Sequence, residues 1–434
     1  MDILIPIETA SRELLYKTYI CHLLALRGFN CYLGNKTYIT YLMMKMKSYI
    51  YLDKGYHKDV SDNLYKIVKQ QRGYIVSLDE EGGVDYHDNS TLLGRYSKNL
   101  FEVADLVFMW GEDQNNIVEK NITDQNKVIV SGHPRFELLK SEYRYLYQRE
   151  VNSLQKRFGD FILINTNMGF GNNIKGDKFI IDNYGGRFKN IKDIISFDKQ
   201  KMESIVSLIK KMSSCTNKVI VLRPHPEENI NFYISAFQGL KNVHVIYEGS
   251  VIPWLLAAEI MIHPDCTTSI ESLLLGKKAI SFLPEKYDSD LVTKLPLEAS
   301  YRFNNEDAVI SFIVNKSYFS EEVNLTNYEF VEEYFSFSKN SSKLIVDKIA
   351  ELILKNKSYA SNNLFFKDKV YFLYKSLRSK LAQNNSAKLS KNKLKGFNYN
   401  EIDKIHKKMI NMDTKFAKVI IKKYSNNLSM FKSI

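Results

Sequence analysis

The feature that most constrains the fold of this 434-residue chain is a repeated alternation of short apolar runs with amphipathic helical stretches. The first set includes "DILIPIE", "GYIVSLD" and "LVFMWG", and the second includes "DFILINTN", "KVIVLRP" and "EIMIHP". Strands separated by helices of this length predict parallel sheets covered on both faces. The sequence therefore predicts an α/β protein with two Rossmann-like domains facing a cleft, at residues 1–145 and 146–330.

Positive charge is concentrated at the C-terminal end. Residues 366–434 contain 17 Lys and Arg against 4 Asp and Glu, a net +13, whereas the whole chain carries +12. We predict helices packing on the body at residues 331–365, then a basic helical extension at 366–434. Its two amphipathic helices would have apolar faces centred on Leu373 and Met409. Because the body is neutral, no nucleic-acid partner is expected.

Lysine-rich amphipathic helices bind anionic lipid headgroups through both charge and apolar burial. We therefore expect residues 366–434 to associate with an anionic inner-membrane surface, although packing on the body or on another subunit explains the same pattern. The N-terminal "MDILIPIETASRE" has acids on both sides of a short apolar run, unlike a signal peptide. We expect a cytoplasmic protein that is peripheral at the inner face of the plasma membrane, with its four cysteines reduced.

Three His-Pro pairs stand at the ends of apolar runs, at His133, His225 and His263. Proline has no N–H to give to a ladder, so it ends the strand and leaves the histidine as the last residue held by the sheet. Arg223 lies two residues before His225, and the pair, followed by Pro226, suits phosphate binding. His263 is a second candidate for donor binding, whereas His133 is interpreted as structural.

Hydroxyl residues follow the last of these pairs in "HPDCTTSIESLLLG". Thr267, Thr268 and Ser269 would lie at the start of an amphipathic helix, where hydroxyls and backbone N–H groups bind anions. Simple N-capping needs one hydroxyl only. Three in a row favour a phosphate site.

Acidic residues end a strand of the first domain in "SLDEEGGVDY". Crowding of Asp79, Glu80 and Glu81 predicts raised pKa values, as a general base needs. Gly82 and Gly83 would allow a tight turn and close approach of a ligand. A solvated acidic loop is the alternative interpretation.

Two further loops complete the candidate site. Glu8 and Ser11 in "PIETASREL" are predicted on the acceptor side of the cleft, where helix capping is an alternative role. Asn165, Asn167 and Gly169 in "LINTNMGFGNN" are predicted donor-binding residues. This stretch lacks the third glycine and the later acid of a dinucleotide site, so no nicotinamide cofactor is expected. No convincing metal site is present either.

The order and strand-end placement of these motifs resemble GT-B glycosyltransferases of bacterial surface carbohydrate biosynthesis. The narrower resemblance is to sialyltransferases, polysialyltransferases and Kdo-transferases, whose pattern is two acids and a glycine, then His-Pro, then a Ser/Thr pair. The matching residues are Glu80-Glu81-Gly82, His225-Pro226, and Thr267-Thr268 or Thr268-Ser269. The resemblance covers roughly residues 1–320.

This resemblance implies a GT-B-like fold that transfers an acidic ulosonic sugar, sialic-acid-like or Kdo, from a CMP-activated donor to a lipid-linked or oligosaccharide acceptor of a capsule or lipopolysaccharide. His225 would hold the donor phosphate, and the hydroxyl cluster would contact phosphate or cytidine. Glu80 or Glu81 would deprotonate the acceptor in an inverting reaction, or an acid would be the nucleophile in a retaining one. No metal or cofactor beyond the nucleotide-sugar is implied.

Three other functions are compatible with the same residues. A polyol-phosphate transferase of the teichoic-acid type would use CDP-glycerol or CDP-ribitol. A UDP-sugar epimerase also has two Rossmann-like domains. A non-catalytic, membrane-tethered scaffold would bind no nucleotide.

Overall fold

A computed structural model describes residues 1–83, 85, 88–186, 188, 190–319, 326–356, 362–381 and 385–434. Its strands are β1 Asp2–Ile7, β2 Asn30–Asn35, β3 Ile50–Asp53, β4 Tyr74–Leu78, β5 Leu106–Met109, β6 Val128–Val130, β7 Phe161–Asn165, β8 Val219–Arg223, β9 Val243–Val245, β10 Ile260–His263, β11 Ala279–Phe282, β12 Tyr301–Phe303, β13 Val419–Ser425 and β14 Leu428–Ser433.

The helices are α1 Ala10–Leu26, α2 Lys36–Lys45, α3 Val60–Gln70, α4 Ser90–Arg95, α5 Lys98–Val103, α6 Glu112–Val118, α7 Pro134–Glu137, α8 Gln148–Phe158, α9 Asp177–Tyr184, α10 Ile191–Cys215, α11 Ile230–Ala236, α12 Val251–Ala257, α13 Thr268–Leu274, α14 Lys294–Glu298, α15 Glu306–Val314, α16 Thr326–Phe335, α17 Ser341–Lys355, α18 Phe366–Leu381, α19 Asn385–Lys393 and α20 Tyr399–Met412. Within the described ranges, no helix is both long and apolar enough to cross a membrane.

Two parallel sheets form the centres of two domains, as the alternation of strands and helices predicts. Strands β1 to β6 pair in the order β2-β1-β3-β4-β5-β6, and β7 to β12 pair in the order β12-β11-β10-β7-β8-β9. All six residues of β1 and all five of β7 are buried. Helices cover both faces of such strands, which is why they read as continuous apolar runs. The prediction of two Rossmann-like domains is confirmed.

The C-terminal extension differs from the predicted pair of helices, because its end forms a β-hairpin. Strand β14 pairs antiparallel with β2, so the hairpin extends the first sheet to eight strands. An edge strand has unpaired N–H and C=O groups, and β14 satisfies those of β2. The helical prediction for 366–434 is therefore wrong for the hairpin. Between α18 and α20 the extension contains a third helix, α19, and residues 382–384 lie outside the described residues.

The two predicted amphipathic faces have different environments. Ile402 and Met409 of α20, and Phe416 after it, have no exposed surface and pack in the core that includes α1. In contrast, Leu373 and Leu377 of α18 are 62% and 53% exposed. The apolar face of α20 is therefore part of the core, whereas that of α18 is exposed. Upstream of it, α17 packs against α1 and α7, and α16 packs against α6.

Candidate functional site

A cleft lies between the two domains and is lined by loops that follow the carboxyl ends of strands in both sheets. In parallel α/β sheets, ligands bind at this end of the strands. The lining residues are Thr9, Ser11, Arg12, Glu80, Glu81, Gly83, Trp110, Arg135, Phe136, Asn165, Thr166, Arg223, Pro224, His225, Pro226, Tyr247, Ser250, Val251, Ile252, Cys266, Thr267, Thr268, Ile270 and Glu271. The cleft therefore brings together most of the motifs found in the sequence.

The side chains of the three successive acids lie in three different environments. Asp79 is buried and accepts two hydrogen bonds from the guanidinium of Arg95, one of them from Nε at 3.0 Å. Glu80 is also buried, whereas the side chain of Glu81 is 39% exposed. Because Asp79 is held by Arg95 behind the cleft wall, its predicted catalytic role is not supported by this geometry. Glu81 is the acid of the three that is most accessible from the cleft.

Glu80 forms the centre of a buried charged network. Lys17 Nζ lies 3.0 Å from Glu80 Oε1 and 2.8 Å from Glu13 Oε2, and the hydroxyl of Tyr16 donates to Glu80. Burial alone would raise the pKa of Glu80, but Lys17, His133 and the nearby arginines hold it well below its usual range. Glu80 is therefore an ionised member of the cleft wall at neutral pH.

Glu81 is held between two arginines. Its carboxylate oxygens lie 3.3 Å from Arg12 Nη2 and 3.2 Å from Arg95 Nη1. Burial would raise the pKa of Glu81, but Arg95 and Arg12 outweigh that effect and keep it below its usual range. The predicted raised pKa values are thus wrong for Glu80 and Glu81, because each acid faces cations instead of its neighbouring acids.

His225 is exposed in the cleft, at the end of β8. The backbone N–H of Glu227 donates to His225 Nδ1 at 3.3 Å. Partial loss of hydration between the cleft walls lowers the pKa of the imidazole; Lys393 and Arg12 act in the same direction, whereas Glu227 and Glu81 oppose it. In the neutral ring, an accepting Nδ1 leaves Nε2 with the proton. His225 is therefore arranged as a hydrogen-bond donor, which suits an anionic oxygen of a ligand.

A buried carboxyl group fixes the loop that carries His225. Glu228 Oε1 accepts from the backbone N–H of His225 at 3.2 Å and from Thr166 Oγ1 at 2.8 Å, while Tyr233 donates to Oε2 at 2.5 Å. Burial raises the pKa of Glu228 to about 7. Glu228 is therefore a positioning residue for His225. The sequence shows an acid after the His-Pro pair and does not reveal this role.

Arg223 lines the cleft but uses its guanidinium on the protein itself. Its Nη1 donates to the carbonyl of Glu248 at 2.5 Å and its Nη2 to the carbonyl of Gly249 at 3.2 Å. The guanidinium also lies 4.9 Å from the ring of Trp254. The predicted fork onto a phosphate is therefore corrected: Arg223 orders the loop that leads to Ser250.

His263 and Ser269 are structural and do not have the predicted donor-binding role. His263 is fully buried, and its two ring nitrogens contact Ser300 Oγ at 2.8 Å and the N–H of Cys266 at 3.1 Å. The hydroxyl of Ser269 donates to the carbonyls of Cys266 and Pro296. Both side chains have their polar atoms engaged inside the second domain.

The two threonines of the same motif do line the cleft. Thr268 begins α13, and Thr267 occupies the N-cap position without a side-chain capping hydrogen bond. Capping therefore does not account for the Thr267 hydroxyl. Asn165, also in the cleft wall, donates to Thr268 Oγ1 at 3.0 Å and holds it in place. Pro226 lines the cleft beside these groups.

Asn167 and Gly169 lie behind the cleft wall. The amide of Asn167 donates to the carboxylate of Asp265 at 2.9 Å, and Lys201 forms an ion pair with the same oxygen at 3.0 Å. A Cβ at Gly169 would lie 3.4 Å from His225 Nδ1. These two residues pack behind the donor-side wall of the cleft. This geometry does not favour their predicted direct contact with the ligand.

The predicted acceptor-side residues also divide. Ser11 and Gly83 line the cleft. A Cβ at Gly83 would lie 3.2 Å from Ile270 Cδ1 of the other domain, so glycine allows the two loops to meet. Gly82 packs against the amide of Gln114, where a Cβ would lie 2.3 Å from Nε2.

Glu8 is occupied by salt bridges and does not face the cleft as predicted. Its carboxylate lies 2.5 Å from Lys54 and 3.6 Å from Lys393. Burial would raise the pKa of Glu8, but these lysines lower it to about 2. Lys393 of α19 also lies 2.7 Å from Glu227, so it links the two domains beside the cleft.

Sequence reasoning missed three charged residues of the cleft. Arg12 lies next to the predicted Ser11, and Arg135 follows the His-Pro pair of "SGHPRF". The Nε atoms of both arginines are buried and have no hydrogen-bond partner in the described part of the chain. The third residue is Glu271, whose carboxylate lies 3.8 Å from Arg135 Nε. Burial raises the pKa of Glu271 despite this nearby cation. The position of each arginine after a strand end was the available signal.

No protein-family model matches the chain, and no curated protein matches it in sequence. The UDP-GlcNAc 2-epimerase from Methanocaldococcus jannaschii superposes with a TM-score of 0.52 and 12% identity, over 81% of this chain and 100% of that one. The UDP-GlcNAc 2-epimerase from Neisseria meningitidis, bound to UDP-GlcNAc, gives 0.51 and 15% over the same shares. The wall teichoic acid polymerase TagF gives 0.49 and 12%, over 83% of this chain and 90% of that one. The similarity to the two epimerases shows that this chain has a GT-B-like fold.

Proposed function

We propose that this protein is a glycosyltransferase that moves an acidic ulosonic sugar from a CMP-activated donor to a glycan acceptor of a surface polysaccharide. The observation that carries the proposal is that one interdomain cleft holds both His225, whose Nδ1 accepts a backbone hydrogen bond, and Glu81, whose carboxylate lies between Arg12 and Arg95. Glu81 and Arg12 are near enough to the imidazole to influence its pKa. The imidazole of His225 suits a leaving phosphate, and the carboxylate of Glu81 suits an attacking hydroxyl.

The charges of the cleft support a donor that carries both a phosphate and a sugar carboxylate. Arg12 and Arg135 each have a buried Nε without a hydrogen-bond partner in the described residues. A buried donor of this kind is costly unless a ligand completes its bonding. Guanidinium groups bind carboxylates and phosphates with two parallel hydrogen bonds. An ulosonic sugar linked to CMP offers one group of each kind.

In the proposed reaction, Glu81 accepts the proton of the acceptor hydroxyl as its oxygen bonds to the anomeric carbon. The bond between that carbon and the phosphate oxygen breaks, and CMP leaves with the electron pair. His225 Nε2–H and Thr267 stabilise the charge that develops on the phosphate. Glu81 then passes the proton to water. The transition state resembles an oxocarbenium ion, so the hydroxyl becomes acidic late and a weakly basic carboxylate is sufficient.

The His225→Ala variant should lose nucleotide binding while keeping its fold, because the side chain is exposed in the cleft. We expect CMP to raise the melting temperature of the wild-type protein more than CDP, UMP, UDP, GDP or dTDP does, and the variant to lose most of this shift. Ser235→Ala on α11, outside the cleft, is the control. An unchanged CMP response in His225→Ala would contradict the assignment. A preference for CDP would favour polyol-phosphate transfer, and one for UDP would favour an epimerase.

We further propose that α18 holds the enzyme at an anionic membrane surface. Phe366, Leu373 and Leu377 are exposed, and Lys367, Lys369, Lys375 and Arg378 belong to the same helix. Apolar side chains beside lysines are typical of helices that lie in the headgroup region. Deleting the whole extension would remove β14 from the first sheet, so point substitutions on α18 are the suitable test.

The Leu373→Asp/Leu377→Asp variant should bind vesicles containing one third phosphatidylserine at least tenfold more weakly than the wild type. The new charges would have to enter the apolar boundary of the bilayer. Co-sedimentation measures this. Ile234→Asp, at a 51% exposed apolar position of α11, is the control and should bind normally. Normal binding by the α18 variant would place the membrane contact elsewhere.

A further inference from the structure

A second, larger groove opens from the cleft and passes between α1, α8 and α20. It encloses about 780 Å³, within the range typical of ligand sites. Five residues line both spaces, so the groove and the cleft are continuous: Ser11, Arg12, Arg135, Ser250 and Ile252. A molecule lying in the groove would have one end beside Glu81, where the proposed acceptor hydroxyl must lie.

Basic side chains outnumber acidic ones in the lining of the groove, and four of them come from the basic C-terminal extension. Seven of its lining side chains are Arg or Lys and two are acidic, Glu150 and Glu401. Lys408 and Lys404 already pair with these two acids, at 2.8 Å and 2.7 Å. The described residues include no ion-pair partner for Arg149, whose side chain is exposed, or for Lys395, whose Nζ donates to the carbonyl of Tyr247 at 3.0 Å. Arg12, Arg135 and Lys407 pair with acids outside the groove lining. Arg149 and Lys395 therefore provide the positive charge of the groove that no acid of the described residues neutralises.

An aromatic side chain accompanies this charge. Tyr145 is 43% exposed and lines the same groove as Arg149. Exposed aromatic faces pack against the apolar faces of sugar rings, and arginines bind carboxylates or phosphates. The groove is concave, so a flat lipid surface does not match its shape. This separates it from the exposed face of α18.

We propose that the groove binds the acceptor as an acidic glycan chain, with its terminal hydroxyl at Glu81 and its repeated carboxylates on Arg149 and Lys395. This proposal rests on the proposed transferase function and names the chemical class of its acceptor. The C-terminal extension thereby contributes one wall of the substrate site through Lys395 and α20. A neutral glycan would leave the positive charges without partners.

The test uses the full chain and a labelled, carboxylate-bearing oligosaccharide, oligosialic acid, with a neutral dextran oligosaccharide of similar length. We expect the wild type to bind the acidic oligosaccharide, with an affinity that falls as salt is raised, and to bind dextran at least tenfold more weakly. The Arg149→Glu/Lys395→Glu variant should lose at least tenfold in affinity for the acidic chain. The milder Arg149→Gln/Lys395→Gln variant should lose several-fold. Fluorescence anisotropy measures each binding constant.

The matched control is Lys156→Glu/Lys66→Glu, which makes the same change in net charge at exposed positions outside the groove, one of them on α8 itself. It should bind the acidic chain like the wild type. Equal losses in both double variants, or no binding by the wild type, would overturn the proposal. If the Arg149→Glu/Lys395→Glu variant kept its oligosaccharide binding and lost binding to phosphatidylserine vesicles, the proposal would also be overturned and the groove would be assigned to lipid.

Nucleotide binding separates this proposal from the proposed function. The groove variants should keep the wild-type shift of melting temperature with CMP, since Arg149 and Lys395 lie outside the cleft lining. If CMP fails to stabilise any form of the protein while the groove variants still lose the acidic chain, the transferase proposal fails and the groove remains an anionic-glycan site.

Discussion

The Glu81→Gln variant should lose about 10²–10⁴-fold in the rate of sugar transfer, the usual contribution of a general base, while CMP affinity stays within about twofold. Glutamine keeps the size of the side chain but cannot accept the acceptor proton. The side chain is 39% exposed, so the fold should tolerate the change. Radiolabelled donor and product chromatography measure transfer, and calorimetry measures CMP binding.

Glu80→Gln is the matched control for this prediction, because Glu80 is the adjacent acid and is buried with Lys17. It should lower stability while leaving transfer by the folded protein within several-fold of the wild type. The reverse outcome, with an active Glu81→Gln and an inactive Glu80→Gln, would move the base to Glu80. Full activity in both would remove the acidic motif from the chemistry.

The pH dependence gives a further check on Glu81. Its pKa is lowered by Arg95 and Arg12, so it stays ionised through neutral and mildly acidic pH. We expect kcat/KM to show no acidic limb within or above the ordinary carboxyl range. Burial raises the pKa of Glu271, the other carboxyl group near Arg135. If kcat/KM instead falls on acidification at a pH already above the ordinary carboxyl pKa, Glu271 would be the base.

The Lys17→Met variant should lose about 3–5 kcal/mol of unfolding free energy at neutral pH, the cost of leaving a buried charge without its partner. Lys17, Glu13 and Glu80 are 2%, 0% and 1% exposed. Methionine matches the length of lysine, so the loss should be electrostatic more than steric. Urea unfolding followed by Trp fluorescence measures it, because Trp110 donates to the carbonyl of Asp79 beside the network.

The deficit of Lys17→Met should shrink as pH falls. In the wild type, the lowered pKa of Glu80 contributes stability above its unfolded pKa, and this is lost as pH falls through the folded value. Without Lys17, Glu80 loses the cation that lowers its pKa most, so its pKa should rise and protonation on acidification should relieve part of the penalty. Lys66→Met, at an exposed position of α3, should change the free energy of unfolding by no more than about 0.5 kcal/mol. A deficit below 1 kcal/mol, or one that grows on acidification, would contradict the role of Lys17.

The sequence was sufficient to predict the two parallel sheets, because buried strands such as β1 and β7 are short apolar runs bounded by polar residues. It was insufficient for the C-terminal hairpin. Strand β14 owes its place to unpaired backbone groups of β2, which lie nearly four hundred positions earlier in the chain. Periodicity reports a residue's local neighbours and contains no information on such a distant partner.

The candidate site was predictable by position more than by role. His225, Thr267 and Glu81 follow strand ends, and the fold places them in one cleft. For other predicted site residues, the hydrogen-bond partners in the fold determined whether the side chain was free to meet a ligand. Arg223 was expected on a ligand, yet two backbone carbonyls of the following loop occupy its guanidinium. Side-chain type and strand-end position do not distinguish an unpartnered donor from one that another loop satisfies.

Charge showed the same limit. Three acids in a row suggested mutual repulsion and raised pKa values, but Arg95, Lys17 and Arg12 approach them from other elements. A sequence shows acids that are adjacent along the chain and hides cations that are adjacent in space. For this reason the predicted direction of the pKa shift of Glu81 was wrong, although Glu81 does line the cleft.

The measurement that tests the central claim most directly is turnover of a donor panel by the wild-type protein and Glu81→Gln. CMP-sialic acid, CMP-Kdo, CDP-glycerol and UDP-GlcNAc would each be incubated with an acidic oligosaccharide, and nucleotide release and acceptor mass would be recorded. We predict release of CMP coupled to the mass gain of one ulosonic residue, from a CMP donor only, and its loss in Glu81→Gln. Conversion of UDP-GlcNAc to its epimer without acceptor, transfer of phosphoglycerol from CDP-glycerol, or no turnover of any CMP donor would contradict the account.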